Sequence, residues 1–245
     1  MLRSIFIIFV MVLSGCAGEA DHSHPVPVPA VQKGSTSTTA KGFTYIPADS
    51  FKGALEVDAA VEAYPKKDDP VVKVDLDYVL AMQDSRTAED CSRANAEAKE
   101  AINTFFGPSY GPLSAQEIAT WGPFLQKVFD DGDQIADLEK KHFKVPRPPV
   151  ASTKVRPCVS APASPSYPSG HSTNTHLLAL VLTQLDPNRA DLFQARADQI
   201  AHDRVLAGVH TPTDIEAGKR LGEKIFREML RNPQFKDDLQ KLANH

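Results

Sequence analysis

Surplus positive charge is missing from this chain: 27 Lys and Arg stand against 31 Asp and Glu in 245 residues, a formal net charge of -4. Affinity for a phosphate backbone comes from clustered cations that release counterions, so a general nucleic-acid binder is excluded and any cations that matter act locally. Long apolar runs are also missing. Residues 5–13 are apolar but too short to cross a bilayer, and no spanning run follows residue 20, which excludes a multi-span membrane protein. Cysteine is limited to Cys16, Cys91 and Cys158, and no internal repeat is present. What remains, 42% hydrophobic and 24% charged residues, is the makeup of a soluble globular protein with enough apolar material for one main core.

The beginning of the chain reads as an address. Arg3 supplies a positive start, residues 5–13 an apolar centre, and Leu13-Ser14-Gly15-Cys16 small residues before a cleavage point. This tetrapeptide resembles a bacterial lipobox, which implies a signal peptide over residues 1–15, lipid on Cys16 and a membrane-anchored periplasmic protein; an unlipidated secreted protein is the alternative. Ala17, where an inner-membrane signal would place Asp, favours the outer membrane. Residues 16–42, rich in Pro, Ser and Thr, are expected to be a flexible tether, with His22 and His24 as solvated residues of it. With Cys16 lipidated, Cys91 and Cys158 form an even pair in an oxidising compartment and are a candidate disulfide, buried free thiols being the alternative.

Residues 43–245 are expected to form one helical domain. Val72, Val74 and Leu76 alternate with charges, which predicts a short strand or an extended lead-in. From Thr87 onward the pattern is helical, and residues 89–106 are rich in Ala and Glu. Ile118, Trp121, Leu125, Val128, Ile135 and Leu138 recur at steps of three and four, one wide apolar face. Residues 177–185 are apolar nearly all round, which makes that helix central. Pro187 ends it, a further helix runs over residues 189–206, and a last pair after Thr211 is broken at Asn232-Pro233.

Three separated fragments carry chemistry. Lys140 and Arg147-Pro148 lie seven apart at a lysine-rich helix end; the helix dipole and solvation account for such lysines, yet the spacing also suits an oxyanion. Pro168-Ser169-Gly170-His171 stands just before the apolar helix, where free amides and the dipole attract phosphate and Gly170 admits a ligand close to the backbone. Ser and Gly are ordinary helix-start residues; His171 is not, because the dipole disfavours its cation. His176 is read as a packing or surface residue, since five residues is the wrong separation for a helical metal pair with His171. Arg204 falls on the face of Ala197 and Ile200, so its burial calls for an anionic partner, a carboxylate or a ligand phosphate. His210 precedes Thr211-Pro212-Thr213-Asp214, in which Asp214 completes a capping box and is also placed to fix the tautomer of His210.

Lys140-x6-Arg147-Pro148, Pro168-Ser169-Gly170-His171 and Arg204-x5-His210-x3-Asp214 together resemble the three-part signature of the type 2 phosphatidic acid phosphatase superfamily, which includes bacterial class A nonspecific acid phosphatases and vanadium haloperoxidases. The resemblance implies an all-α, single-domain bundle of the acid phosphatase and haloperoxidase type. It implies a metal-independent, cofactor-free acid phosphatase acting on a small phosphomonoester, with a bell-shaped, acidic pH profile. His210 would attack phosphorus and Asp214 orient it. His171 would protonate the leaving group, while Lys140, Arg147, Ser169, Gly170 and Arg204 would surround the phosphate oxygens. Asp203 departs from the Ser that often precedes the arginine, which puts one hydroxyl contact in doubt, and Ser172 replaces the usual Thr. A vanadate-dependent haloperoxidase and a non-catalytic phosphate-binding lipoprotein are the competing functions. The natural substrate stays open, and the soluble enzymes of this kind are often homo-oligomers.

Overall fold

The structure, a computed structural model, describes residues 42–47, 50 and 61–243. The expected leader over residues 1–15, Cys16, the tether as far as residue 41, and His22 and His24 lie outside the described residues. Residues from Gly42 onward form one compact unit. It is all-α, with no strand among the described residues. The helices are α1 (Pro70–Ser85), α2 (Ala88–Ala96), α3 (Ile102–Phe106), α4 (Ala115–Phe143), α5 (Pro148–Ala151), α6 (Gly170–Leu185), α7 (Ala190–Leu206), α8 (Pro212–Met229) and α9 (Pro233–Ala243).

α6 is the central element, and α4, α7 and α8 pack around it. Its C-terminal half buries Leu177, Leu178, Val181 and Leu182 among Leu125, Ile135, Phe193, Ile200 and Leu221. Full burial of such side chains stabilises by about 1.5–3 kcal/mol each. Its N-terminal half is polar and equally buried, because its hydroxyls bond within the fold: Thr173 and Thr175 to carbonyls four residues back, and Ser172 Oγ to the Ile215 carbonyl at 2.6 Å. α8 comes close enough for this only because it presents Gly218 and Gly222. A Cβ on Gly218 would stand 2.6 Å from the Ser169 carbonyl, and one on Gly222 2.6 Å from that of Thr173.

Two segments differ from their sequence patterns. Residues 70–85 are helix, not strand: the Asp69 carboxylate caps the amide of Val71, Pro70 occupies the first turn, and the buried positions are Asp75 and Val79, four apart. Val74 is 64% exposed, so the alternation of Val72, Val74 and Leu76 crossed two faces of a helix. Residues 89–106 are two helices separated by a turn, because Glu97 turns inward to Arg196 at 2.6 Å and Glu100 to His171 at 2.8 Å. On α4, Leu138 is 45% exposed, and the buried face of Ile135 continues instead at Glu139 and Lys140. The remaining breaks, at Pro187 and at Asn232-Pro233, fall where proline puts them.

Candidate active site

Caps and chain reversals bring the three fragments together. Ser169 caps α6, its side chain accepting from the amide of Ser172, and its own amide donates to the Asp214 carbonyl at 3.0 Å, which ties the start of α6 to the start of α8. Thr211 and Asp214 form the reciprocal capping box that opens α8. At the end of α7 the Arg204 carbonyl accepts the amide of His210 at 3.3 Å, and Gly208, at φ 80°, supplies the left-handed turn between them. Arg147 occupies the position before α5, its side chain left free of capping, and Lys140 sits in the last turn of α4.

The result is a cavity of about 100 Å³ lined by Lys140, Arg147, Gly170, His171, Arg204 and His210, among others. Arg147 Nη1 lies 2.9 Å from His210 Nε2 and also donates to the Val209 carbonyl at 3.0 Å, while Ser164 receives the rest of the guanidinium through its carbonyl and hydroxyl. Lys140 Nζ donates to the carbonyls of Pro168 at 2.7 Å, Pro165 at 3.1 Å and Ser166 at 3.4 Å. Arg204 is 2% exposed and donates to the Ala94 carbonyl at 2.8 Å. A Cβ on Gly170 would stand between Glu100 and the Lys140 side chain, at 3.6 and 3.7 Å, so glycine keeps that space open. The Ser169 hydroxyl is buried at the cap and does not line the cavity. Asp214 is likewise set behind His210.

The two cavity histidines have opposite surroundings. A guanidinium is donor only, so Nε2 of His210 meets Arg147 as an acceptor and the proton resides on Nδ1. Nδ1 lies 3.3 Å from Asp214 Oδ2, an oxygen that also receives the Ser166 hydroxyl at 2.6 Å and the Thr211 amide at 2.8 Å. Burial, followed by the charges of Arg147, Lys140 and Arg204, holds His210 well below the ordinary imidazole range, so it is neutral. His171 instead meets acceptors on both sides, the Glu100 carboxylate at Nδ1, 2.8 Å away, and the Glu97 carbonyl at Nε2, 3.0 Å away. Both contacts are satisfied when both nitrogens carry protons. Although burial opposes it, the charge of His171 pulls Glu100 down to about 2. Burial lowers Lys140 to about 8, with Arg147 adding to the effect.

Glu100, Ser166 and Ser164 carry no signal in the sequence, being polar residues in turns without periodicity. Asp133 and Asp137, also in the cavity wall, share the spacing of four and three with Lys140 that marks one helix face. Asp203 is fully buried and grips Arg93 through Nε at 2.7 Å and Nη2 at 2.8 Å, an anchor for α2 where a phosphate-facing hydroxyl was in question. His176 is a packing residue, bonded to the Ser172 carbonyl and to Asp198. Cys91 and Cys158 are joined as a disulfide with Cα atoms 5.7 Å apart. No group of three metal-ligating side chains occurs among the described residues.

Several known proteins are similar to this chain. A non-specific acid phosphatase of Salmonella typhi is 27% identical over 190 residues, which cover 73% of this chain and 75% of the relative. Among solved structures, a transmembrane PAP2 type phosphatidylglycerolphosphate phosphatase from Bacillus subtilis superposes with a TM-score of 0.51 at 21% identity, over 76% of this chain and 92% of that one. A bacterial vanadium-dependent iodoperoxidase superposes with a TM-score of 0.50 at 17% identity, over 74% of this chain and 54% of that one. These two likenesses concern the fold alone, and no helix among the described residues is long and apolar enough to cross a membrane. The model of the PAP2 superfamily matches residues 125–236, a segment that holds all three fragments.

Proposed function

We propose that the chain is an acid phosphatase of the PAP2 type, a phosphoric monoester hydrolase that works through a phosphohistidine on His210. The observation that carries this is the neutral His210 ring, its Nε2 2.9 Å from the Arg147 guanidinium, in a cavity that Lys140 and Arg204 also line. The acid phosphatase relatives support the same activity.

An incoming phosphate dianion takes Arg147, Lys140, Arg204 and the Gly170 amide as its partners and leaves Nε2 with an unshared lone pair. That lone pair attacks phosphorus as the P–O bond to the alcohol breaks. His171 gives one of its two protons to the departing oxygen, so a neutral alcohol leaves. Charge on the three equatorial oxygens is met by preorganised cations that do not reorganise during the step. Asp214 holds the Nδ1 proton and stabilises the ring as it becomes charged. Water then attacks the phosphohistidine, His171 takes a proton from it, and the P–N bond breaks to give inorganic phosphate. The cations supply the electrostatic stabilisation, so the reaction needs no metal ion.

Detergent-solubilised full-length protein in EDTA should hydrolyse p-nitrophenyl phosphate, be inhibited by vanadate, and form an acid-labile phosphoprotein that His210→Ala abolishes. Retained turnover in that variant would sink the mechanism. Halide oxidation by peroxide after vanadate loading, without ester hydrolysis, would replace it with the haloperoxidase function. We also place the enzyme outside the cytoplasm on a lipid anchor at Cys16, a placement that rests on residues 13–16 alone. Palmitate labelling lost in Cys16→Ser would support it, and unlabelled wild-type protein would remove it.

A further inference from the structure

This inference rests on the phosphatase function and concerns the alcohol that leaves. Asp133, Asp137 and Lys140 follow one another along a single face of α4, and all three line the cavity with Glu100. Lys140 belongs to the cationic cage. Asp133 and Asp137 stand farther back along the helix, half-buried and exposed respectively, at the mouth of the cavity. Asp133 is crowded by like charge: burial and its neighbours Glu100 and Asp137 push its carboxyl up to about 6.

In-line displacement puts the leaving oxygen opposite the attacking nitrogen of His210 and beside the group that protonates it, His171. His171 is bonded to Glu100, and Asn174 reaches Glu100 from α6 at 3.3 Å. The departing alcohol therefore passes along the carboxylate wall rather than along the arginines. We infer that Asp133 and Asp137 form a leaving-group subsite that selects phosphomonoesters of alcohols bearing an ammonium or hydroxyl group and discriminates against alcohols that carry a carboxylate or a second phosphate. Opposite charges at the mouth attract through a high-dielectric, salt-screened medium, so each unit of leaving-group charge is expected to change kcat/KM by about threefold per carboxylate.

Three esters of nearly equal size test this: 2-aminoethyl phosphate, 2-hydroxyethyl phosphate and phosphoglycolate, whose alcohols end in a cation, a neutral group and an anion. The readout is the ratio of kcat/KM for the aminoethyl ester to that for phosphoglycolate, measured at neutral pH in the wild type, in Asp137→Asn and in Asp133→Asn. Intrinsic reactivity is identical in the three proteins and cancels when their ratios are compared. Asp137 is exposed, which makes its substitution safe for folding. The ratio should fall by about tenfold in Asp137→Asn, and the wild-type ratio should shrink as salt rises to about 0.5 M. An unchanged ratio in both variants, with all three esters hydrolysed, overturns the subsite and leaves the phosphatase standing. No hydrolysis of any ester by the wild type overturns both.

Discussion

His210 and His171 face one cavity, and each places Nδ1 against a carboxylate, Asp214 in one case and Glu100 in the other. The difference lies at Nε2. His210 meets a guanidinium there, which only donates, whereas His171 meets a main-chain carbonyl, which only accepts. On the proposed mechanism the first ring serves as the nucleophile and the second as the acid. Two identical side chains would then acquire different roles from the single group beyond each ring, the separation of environments by which one site carries both functions. Asp214 is also shielded by Ser166 and Thr211, while Glu100 lies at the turn between α2 and α3.

Substitution of either histidine carries the largest expected effect. His210→Asn is expected to lose about 10⁴-fold or more in kcat with every substrate, because on the proposed mechanism no other group forms the covalent intermediate. His171→Asn is expected to lose about 10²–10³-fold with an alkyl phosphate and much less with p-nitrophenyl phosphate, whose leaving group needs little protonation. Steady-state kinetics on both esters checks this; equal losses for the two variants on both would erase the distinction. Next is the disulfide. It ties α2, which leads into the Glu97 carbonyl beside His171, to the segment that carries Ser164 and Ser166 beside Arg147 and His210. Closing a loop across a sequence separation of 67 contributes about 4 kcal/mol on the chain-entropy model. Replacing both Cys91 and Cys158 by Ser should cost about that in denaturant unfolding.

Glu100→Gln sharpens the contrast at smaller cost. It keeps an acceptor at Nδ1 of His171 but removes the charge, and kcat should fall by about 10–100-fold with an alkyl phosphate and less with p-nitrophenyl phosphate. Equal losses on the two esters would make Glu100 a packing residue. On the His210 side, Lys140 is lowered to about 8, chiefly by burial. Its cationic form exists below that pH and is lost above it, so vanadate inhibition of the wild type should weaken as pH rises through about 8. Lys140→Arg, if it binds vanadate, should hold affinity to higher pH. Inhibition constants measured across that range decide it.

Much of this was legible beforehand because helix starts and buried cations obey local rules. Arg204 on an apolar face, Thr211-Pro212 opening a helix and His171 at a dipole end are anomalies or caps that a sequence displays. The contacts of the two rings were less accessible. Glu100 sits in a stretch whose Ala and Glu content reads as continuous helix, and its turn exists only because Arg196 and His171, far along the chain, draw Glu97 and Glu100 inward. The alternation of Val72, Val74 and Leu76 misled for a similar reason: three residues are too few to separate a period of two from one of 3.6 when Asp69 and Pro70 cap the segment. Close packing of α8 on α6 was invisible too, since Gly218 and Gly222 matter only through the carbonyls they approach.

Ser166 is the residue that no pattern announced, and it gives the smallest of the expected effects. Its hydroxyl donates to Asp214 Oδ2 at 2.6 Å and lies 3.3 Å from His210 Nδ1, so it helps aim the carboxylate without touching the cavity. In Ser166→Ala the same oxygen keeps the Thr211 amide at 2.8 Å. One hydrogen bond to a charged acceptor is lost while a second remains, which should lower kcat by roughly fivefold to tenfold. KM should change little, because the cations that hold phosphate are untouched, and Ser166→Thr, which restores a hydroxyl, should recover part of the loss. A loss confined to a rise in KM would mean that Ser166 acts through the Lys140 contact at its carbonyl and not through Asp214. The nucleophile would then owe its orientation to the capping box alone.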